Sequence, residues 1–428
     1  MLFGRDNKLH AAGSIIAAVD IGSAKICCLI AAVAPEEPLA GSNGGMRLLV
    51  LGLGHQRALG IEGGAVSDAK AATPAIRSAI SQAEQMARIE LDSVYVGVSC
   101  GRPRSRTFHS HKELPAGMVE RADLDALESG ARVYAQRGGG KLIQLEQTGY
   151  RLDGVTGVRE PLGMAATSLH AEHHAVLVDE GPLRNLALLV ESCHLDVAGL
   201  IPTAYASAIA VATPEEQSLG VTCIDIGAGV TSIAAFARGH LVFTATLPVG
   251  GQQITDDIAA ALSVPLAEAE RIKSLYATLA PGACDEGLYS AFPFAHQTGA
   301  GLDGSSRVLV ARIVRQRMTG VLREAAAQLE QSGVGWLAGK RVVLTGGASQ
   351  VPGLADFAAE ALGQDVRVAR PSSVRGWVSG QPGPAFSCLI GLVKAGATWP
   401  SPILDELGGE PQGAGYLGRM ERWLRESF

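Results

Sequence analysis

The sequence predicts an α/β protein of two related lobes, with a smaller α+β unit inserted into the first. Three observations carry this expectation. The strand–turn–strand run "SIIAAVDIGSAKICCLIAAV" returns about 200 residues later as "GVTCIDIGAGVTSIAAFARGHLVFTATLPVG", and an internal duplication implies two copies of one architecture. Short buried-strand runs and amphipathic helical runs follow each copy. From roughly 100 to 167 the texture becomes more charged, with short strand-like runs, which marks the insert, bounded at about 94–167.

Composition bounds the function classes. A chain of 428 residues is too long for one core. A formal net charge of −6 argues against nucleic acid as the main partner. The seven cysteines are scattered without a C-x-x-C pair and read as buried thiols in a reducing compartment. The amino end "MLFGRDNKLHAAG" lacks the apolar core of a signal peptide. The apolar stretch from Ile15 to Val33 is interrupted by Asp20 and Lys25, so no membrane-spanning helix is expected there. A cytoplasmic protein is expected.

The elements follow in order. After the first hairpin, "DAKAATPAIRSAISQAEQMAR" has apolar residues at three- and four-residue spacing, a helix, and "DSVYVGVS" is a strand. Within the insert, "ERADLDALESGARVY" is a helix, and "RGGGK" lacks the flanking pattern of a P-loop and reads as a turn. Arg102, Arg104 and Arg106 alternate as on a solvated strand face, with a partner contact as the alternative. His170, His173 and His174 in "LHAEHHAV" suggest a metal, but on a strand 173 and 174 point to opposite faces, so an ordinary strand is preferred. "GPLRNLALLVESC" is a helix and "LDVAGLIPTAYASAIAV" a strand entering a helix. Beyond the second hairpin come two helices, "GGQQITDDIAAAL" and "PLAEAERIKSLYATL", a glycine-rich loop at 281–306, and a long helix, "SRVLVARIVRQRMTGVLREAAAQLEQSG". "KRVVLTGGASQVPGLADFAAEAL" is strand, glycine turn and helix.

Chemistry concentrates at the glycine turns. "VDIGSAK" (19–25) and "IDIGAGVTS" (224–232) each put an aspartate at a strand end and a glycine two residues on. Glycine lets the backbone turn sharply and bring its amides close to an anion. A hydroxyl residue and Lys25 supply further phosphate contacts. Asp20 and Asp225 are expected to face each other across a cleft and hold a hydrated Mg²⁺. Gly346 and Gly347 end a buried strand and open a helix, either as a generic β–α turn or as a flat surface, free of side chains, against which an adenosine packs. Glu270 and Lys273 are three apart and share a helix face.

Together these features resemble the actin, seventy-kilodalton chaperone and sugar-kinase superfamily, and within it the FtsA family of bacterial cell-division actin homologues. The run "LPVGGQQITDDIAAALSVPLAEAERIKSLYATL" is similar to that family's segment after the second hairpin, and the insert falls where the family carries its IC subdomain. The resemblance implies an actin-like, ribonuclease H-like duplicated fold. Subdomain IA would comprise 1–93, 168–204 and a return at 373–400, with IC at 94–167. IIA would span 205–235 and 321–372, and IIB 236–320. It implies ATP and Mg²⁺ as ligands. Asp20, Gly22, Ser23 and Lys25 would meet phosphates and metal from one side, and Asp225, Gly227, Gly229 and Thr231 from the other. Gly250 and Gly251 would open the following helix, and Glu270 and Lys273 would border the adenosine with Gly346 and Gly347. Hydrolysing members place a Gln or Glu at the start of the first connecting helix, where this chain is read as presenting Ile201. An aliphatic side chain cannot aim a water, so hydrolysis is expected to be weak at most and no catalytic residue is assigned. The implied partners are the tail of the tubulin-like protein FtsZ on IIB, further copies of the chain in filaments, and other division proteins through IC. The alternatives are a small-molecule kinase of the same superfamily, which lacks an evident catalytic base here, and a pilus-assembly adaptor of the PilM type.

The last residues bear on localisation. Residues 401–414 read as a flexible linker, rich in Pro, Gly and acid, reaching ~20 Å root-mean-square. In 415–428, stepped at about 100° per residue, Tyr416, Leu417, Met420, Trp423 and Leu424 share an arc of roughly 120°, with Arg419, Arg422 and Arg425 outside it. Such a helix suits the interface of an anionic membrane, so a peripheral protein on the cytoplasmic face of the inner membrane, at the division site, is expected.

Overall fold

The computed structural model describes residues 14–35, 46–115, 117–284, 302, 304–335, 338–378 and 380–399. The expected linker and the Trp423 helix lie outside the described residues. The chain opens with β1 (Ser14–Ile21), a glycine turn, β2 (Lys25–Pro35) and β3 (Met46–Arg57), then a short hairpin of β4 (Ile61–Glu62) and β5 (Ala65–Val66). Helix α1 (Ala69–Ala87) follows. Its N-cap Asp68 accepts the Ala71 amide at 3.1 Å, satisfying one of the helix's orphan donors. Ala72, Ile76, Ala79, Ile80 and Ala83 form its buried stripe. That stripe lies on β3 so closely that a Cβ at Gly54 would be 1.6 Å from the Ala79 carbonyl oxygen. Strand β6 (Ser93–Val98) then returns to the sheet.

The insert comprises β7 (Arg104–Glu113), α2 (Arg121–Gln136), β8 (Lys141–Leu152), β9 (Val155–Val158) and β10 (Ser168–Val178). The first lobe resumes with α3 (Glu180–Glu191), β11 (Asp196–Pro202) and α4 (Thr203–Val211), and α5 (Pro214–Leu219) leads into the second. There β12 (Val221–Ile226), β13 (Thr231–Ala237) and β14 (His240–Leu247) precede α6 (Gly251–Leu262), α7 (Leu266–Tyr276) and the long α8 (Gly304–Gln331). The chain continues through β15 (Arg341–Thr345), α9 (Leu354–Leu362), β16 (Asp365–Val368) and β17 (Val374–Arg375) to α10 (Ser387–Gly396).

Sheet order establishes the duplication. In the first lobe β3, β2 and β1 are antiparallel, and β6 and β11 continue parallel to β1. In the second, β14, β13 and β12 are antiparallel, and β15 and β16 continue parallel to β12. Strand β17 returns to pair with β3, and α10 packs on α4. Backbone meets backbone there: a Cβ at Gly391 would lie 1.7 Å from the Ala206 carbonyl oxygen. The insert's own sheet, β7-β10-β8-β9, abuts β14 of the second lobe. Strand pairing therefore puts 94–98 in the first-lobe sheet and 168–178 in the insert's. One large apolar core runs through the first lobe and the α4 junction and takes in Ile143, Val176 and Val178 of the insert and Phe236 and Leu241 of the second lobe; a second fills the rest of that lobe, and two small clusters lie within the insert.

The histidines on β10 have structural partners. His173 Nε2 lies 2.8 Å from Ser110 Oγ, with its ring stacked on Phe108, and His174 Nε2 lies 2.9 Å from Ser105 Oγ. The arginine row organises the insert's base. Arg102 and Arg104 bind Asp179 at 2.6 and 2.9 Å, and Arg106 donates to the Ala135 and Arg137 carbonyls at the end of α2. All seven cysteines are free thiols. Among the described residues, no helix is long and apolar enough to cross a membrane.

Candidate functional site

The two glycine turns close with the same bond. The Gly22 amide donates to the Lys25 carbonyl at 3.0 Å, and the Gly227 amide donates to the Val230 carbonyl at 2.9 Å. Each follows a strand whose aspartate is half-buried, Asp20 paired in register with Cys27 and Asp225 with Ser232. The turns face each other across a cleft of about 210 Å³. Its lining brings together Asp20, Gly22, Ser23, Lys25, Asp225, Gly227, Gly229, Gly346 and Gly347. The walls nearly touch: a Cβ on Gly229 would lie 2.4 Å from Ser23 Oγ, which itself accepts the Gly64 amide at 3.1 Å.

Burial dominates the electrostatics of the cleft's two carboxyls. Burial raises the Asp225 carboxyl to about 6, opposed by a hydrogen bond from Ser207 and reinforced by the charge of Asp20. Burial also raises Asp20, opposed by Lys25 and by the Cys388 thiol. The charge of Asp20 adds to the proton affinity of Asp225, and a cation between the two carboxylates would relieve that repulsion. Lys25 adds a positive charge, its Nζ lying 3.5 Å from the centroid of the Phe386 ring. Among the described residues no group of three or more His, Cys, Asp or Glu could hold a metal by itself. The aspartate pair therefore fits a hydrated ion that completes its shell from water and ligand oxygens.

Five of the expected residues do not line the cleft. Thr231 is fully buried and its hydroxyl donates to the Val249 carbonyl at 2.8 Å. Ser232 lines the cleft in its place, because directly opposed residues of an antiparallel pair share a face and Asp225 opposes Ser232. Gly250 and Gly251 lie behind the second turn, where the Gly251 and Gln252 amides donate to the Gly227 and Ala228 carbonyls at 2.9 and 2.8 Å. The start of α6 thus braces the turn. Lys273 donates to the Gly251 carbonyl, to Thr255 Oγ1 and to Glu270 Oε2, at 3.1, 2.8 and 2.7 Å. Glu270 and Lys273 are one polar cluster joining α7 to α6.

Ile201 requires correction. It is fully buried inside β11, and the helix begins at Thr203. Thr203 is the residue that lines the cleft, with its Oγ1 3.2 Å from Ser232 Oγ. Sequence reasoning also missed Ser99, Ala385, Cys388 and Gly64, which line the cleft from strand ends, a helix start and a loop. Ser207 was findable as the residue one turn after Thr203.

Comparison with known proteins agrees with this architecture. A family model described as cell division protein FtsA matches residues 222–391, and one described as the SHS2 domain inserted in FtsA matches 100–177. Cell division protein FtsA of Agrobacterium fabrum is 36% identical over 422 residues, covering 97% of this chain and 95% of the relative. The Pseudomonas aeruginosa protein of that name is 31% identical, covering 97% and 99%, and that of Escherichia coli is 26% identical, covering 97% and 98%. Among solved structures, a PilM–PilN type IV pilus biogenesis complex aligns at 17% identity and a TM-score of 0.60, covering 89% of this chain and 98% of that one. That likeness shows the actin-like fold alone. The full-length sequence similarity decides the family: the chain belongs to the FtsA family of cell-division proteins.

Proposed function

We propose that the cleft binds ATP with Mg²⁺ and that the bound nucleotide locks the two lobes together. The observation that carries this is the pair of identically bonded glycine turns facing each other, with an aspartate on each wall and Lys25 on one. Asp20 and Asp225 would hold the hydrated ion, while Gly22, Ser23, Lys25, Gly227 and Gly229 would meet phosphate oxygens. Gly346 and Gly347 would flank the adenosine. Mg²⁺ supplies charge neutralisation between carboxylates and phosphates. Thr203, at the head of α4, can hydrogen-bond a water but cannot accept its proton at neutral pH. ATP is therefore a structural ligand with slow hydrolysis, and single-turnover kinetics at the rate of a dedicated ATPase would overturn this.

The locked protein polymerises and tethers FtsZ filaments to the cytoplasmic face of the inner membrane. Membership of the FtsA family supports this reading. The FtsZ tail binds IIB, and other division proteins bind the insert. The segment 415–428, whose sequence has the pattern of an amphipathic helix, is the lipid anchor. With three arginines against two glutamates it carries a net charge of +1, so one copy binds weakly and many copies along a filament bind tightly. Titration with a fluorescent ATP analogue tests the cleft: saturable, Mg²⁺-dependent binding is expected, and its absence defeats the reading. Co-sedimentation with anionic liposomes tests the anchor: Trp423→Glu is expected to abolish it and leave nucleotide binding intact.

A further inference from the structure

The insert belongs to one lobe by chain and to the other by sheet. The chain leaves β6 and returns to α3, both first-lobe elements. The crossing is clasped: the Asp179 amide donates to the Gly101 carbonyl at 2.7 Å, and the Asp179 carboxylate holds Arg102 and Arg104. The insert's sheet, however, continues from β14 of the second lobe, through a single residue pair in register, Ala245 opposite Arg104.

Side chains complete that junction. Ser105 Oγ accepts the Thr244 amide at 2.6 Å and lies 3.1 Å from the Thr244 carbonyl oxygen and 2.9 Å from His174 Nε2. A hydroxyl has one proton to give. All three contacts are satisfied when His174 donates from Nε2 and Ser105 donates to the carbonyl, which leaves His174 Nδ1 bare. Beside them, Glu146 of β8 meets His240 of β14 at 2.9 Å. Among the described residues, the buried side-chain atoms with no hydrogen-bond partner are Gln144 Oε1, His173 Nδ1, His174 Nδ1 and Thr244 Oγ1. Every one is on an insert strand or on β14. His174 and Thr244 are the two that meet Ser105 at this seam; buried polar atoms are ordinarily satisfied, so the seam is not held at its best geometry.

We propose that this seam is a separable latch: the insert docks on β14 when the lobes are closed and is released when they open, so its orientation reports the state of the cleft. Closure moves β14 relative to the clasp at Gly101 and Asp179. A junction of one backbone pair and a few side-chain bonds yields before the covalent crossing or the packed cores do. The dependence on cleft state rests on the nucleotide reading above; the latch itself does not.

The test is double electron–electron resonance on the full chain, with Cys193 and Cys284 replaced by serine. Labels are placed at exposed positions: Val155→Cys on the insert with Leu266→Cys on the second lobe, or with Leu59→Cys on the first. Ser105→Ala is expected to broaden the 155–266 distance distribution and shift it to longer distances, leaving 155–59 unchanged. Glu146→Gln, which disturbs no buried contact of Ser105, is expected to act in the same direction to a smaller extent, and it decides the matter if Ser105→Ala does not fold. An unchanged 155–266 distribution, or equal changes in both pairs, overturns the latch. In protein that binds the fluorescent ATP analogue, ATP with Mg²⁺ is expected to narrow the 155–266 distribution, and no narrowing overturns the coupling. Protein that binds no nucleotide defeats the reading of the cleft instead, and the Ser105→Ala comparison still decides the latch.

Discussion

The turn at Gly22 and the turn at Gly227 close with the same amide-to-carbonyl bond three residues on, and each presents an aspartate to the same cleft. Their side chains diverge. The first carries Ser23 and Lys25, whereas the second offers Ala228, Gly229 and Val230 at the corresponding positions. The supports differ too, since Asp20 is flanked by Lys25 and the Cys388 thiol while Asp225 takes a hydroxyl from Ser207. The backbone shape is what both copies keep, because a nest of amides depends on φ and ψ rather than on side-chain identity. Lys25 puts positive charge on one wall only. The cleft is thus symmetric in geometry and asymmetric in electrostatics.

The aspartates break that comparison most strongly. If one cation is held from both walls, Asp20→Asn and Asp225→Asn each lower Mg²⁺-dependent ATP affinity by about two orders of magnitude, ~2.7 kcal/mol. Calorimetric titration with and without Mg²⁺ checks this. A loss in only one variant would show that a single wall carries the ion.

Next in size is the backbone behind Asp225. Gly346 has φ +91°, and a Cβ there would lie 2.2 Å from Asp225 Oδ1 and 2.5 Å from the Ile226 carbonyl oxygen. Strain and clash together are expected to cost about 2 kcal/mol in Gly346→Ala, read by urea unfolding. At Gly347 the nearest atom to an added Cβ is 3.9 Å away, so Gly347→Ala stays within about 0.5 kcal/mol of the parent. Equal losses in the two would remove the steric argument.

The duplicated turns then differ at their middle position. Gly229 corresponds to Ala24, and a Cβ on Gly229 would lie 2.4 Å from Ser23 Oγ and 3.1 Å from the Gly63 amide nitrogen of the opposite wall. Gly229→Ala holds the lobes apart and is expected to weaken nucleotide binding about tenfold, ~1.4 kcal/mol, with the fold retained. Ala24→Gly is expected to leave affinity unchanged in the same fluorescence titration.

These contrasts also show what was legible beforehand. Both turns could be read because D-x-G between two apolar runs is a local pattern, and its repetition gave the two-lobe order. Asp20, Gly22, Asp225 and Gly227 come from such patterns. Ser99, Cys388 and Gly64 do not: each sits at the end of an element with its own structural reason, and only tertiary packing brings it to the cleft. Thr231 lies off the cleft because the residue opposite Asp225 across the hairpin is Ser232. Ile201 was an error of helix boundary by two residues, at a Pro202 that ends a strand and caps a helix. The seam to β14 joins residues more than a hundred positions apart, and no local signal announces it.

The smallest effect is a pH slope, and it tests whether the walls repel. Asp225 is raised from 3.8 to about 6, chiefly by burial and further by Asp20. A carboxyl raised on folding binds its proton more tightly in the folded chain, so its contribution to stability is largest below about pH 4 and is lost as pH rises through about 6. Asp20 is shifted in the same direction. Free of nucleotide and Mg²⁺, the protein is therefore expected to lose thermal stability from pH 4 to pH 6 relative to Asp225→Asn, which has no proton to release there. If the ionised pair holds Mg²⁺, adding it is expected to raise the melting temperature of the parent above pH 6 and to leave the variant nearly unchanged. Scanning calorimetry in chelator and in Mg²⁺ measures both. Parallel pH curves for parent and variant would mean that solvent reaches the two carboxylates and dissipates their repulsion, and the cleft would then lack the charge strain that makes a cation its natural occupant.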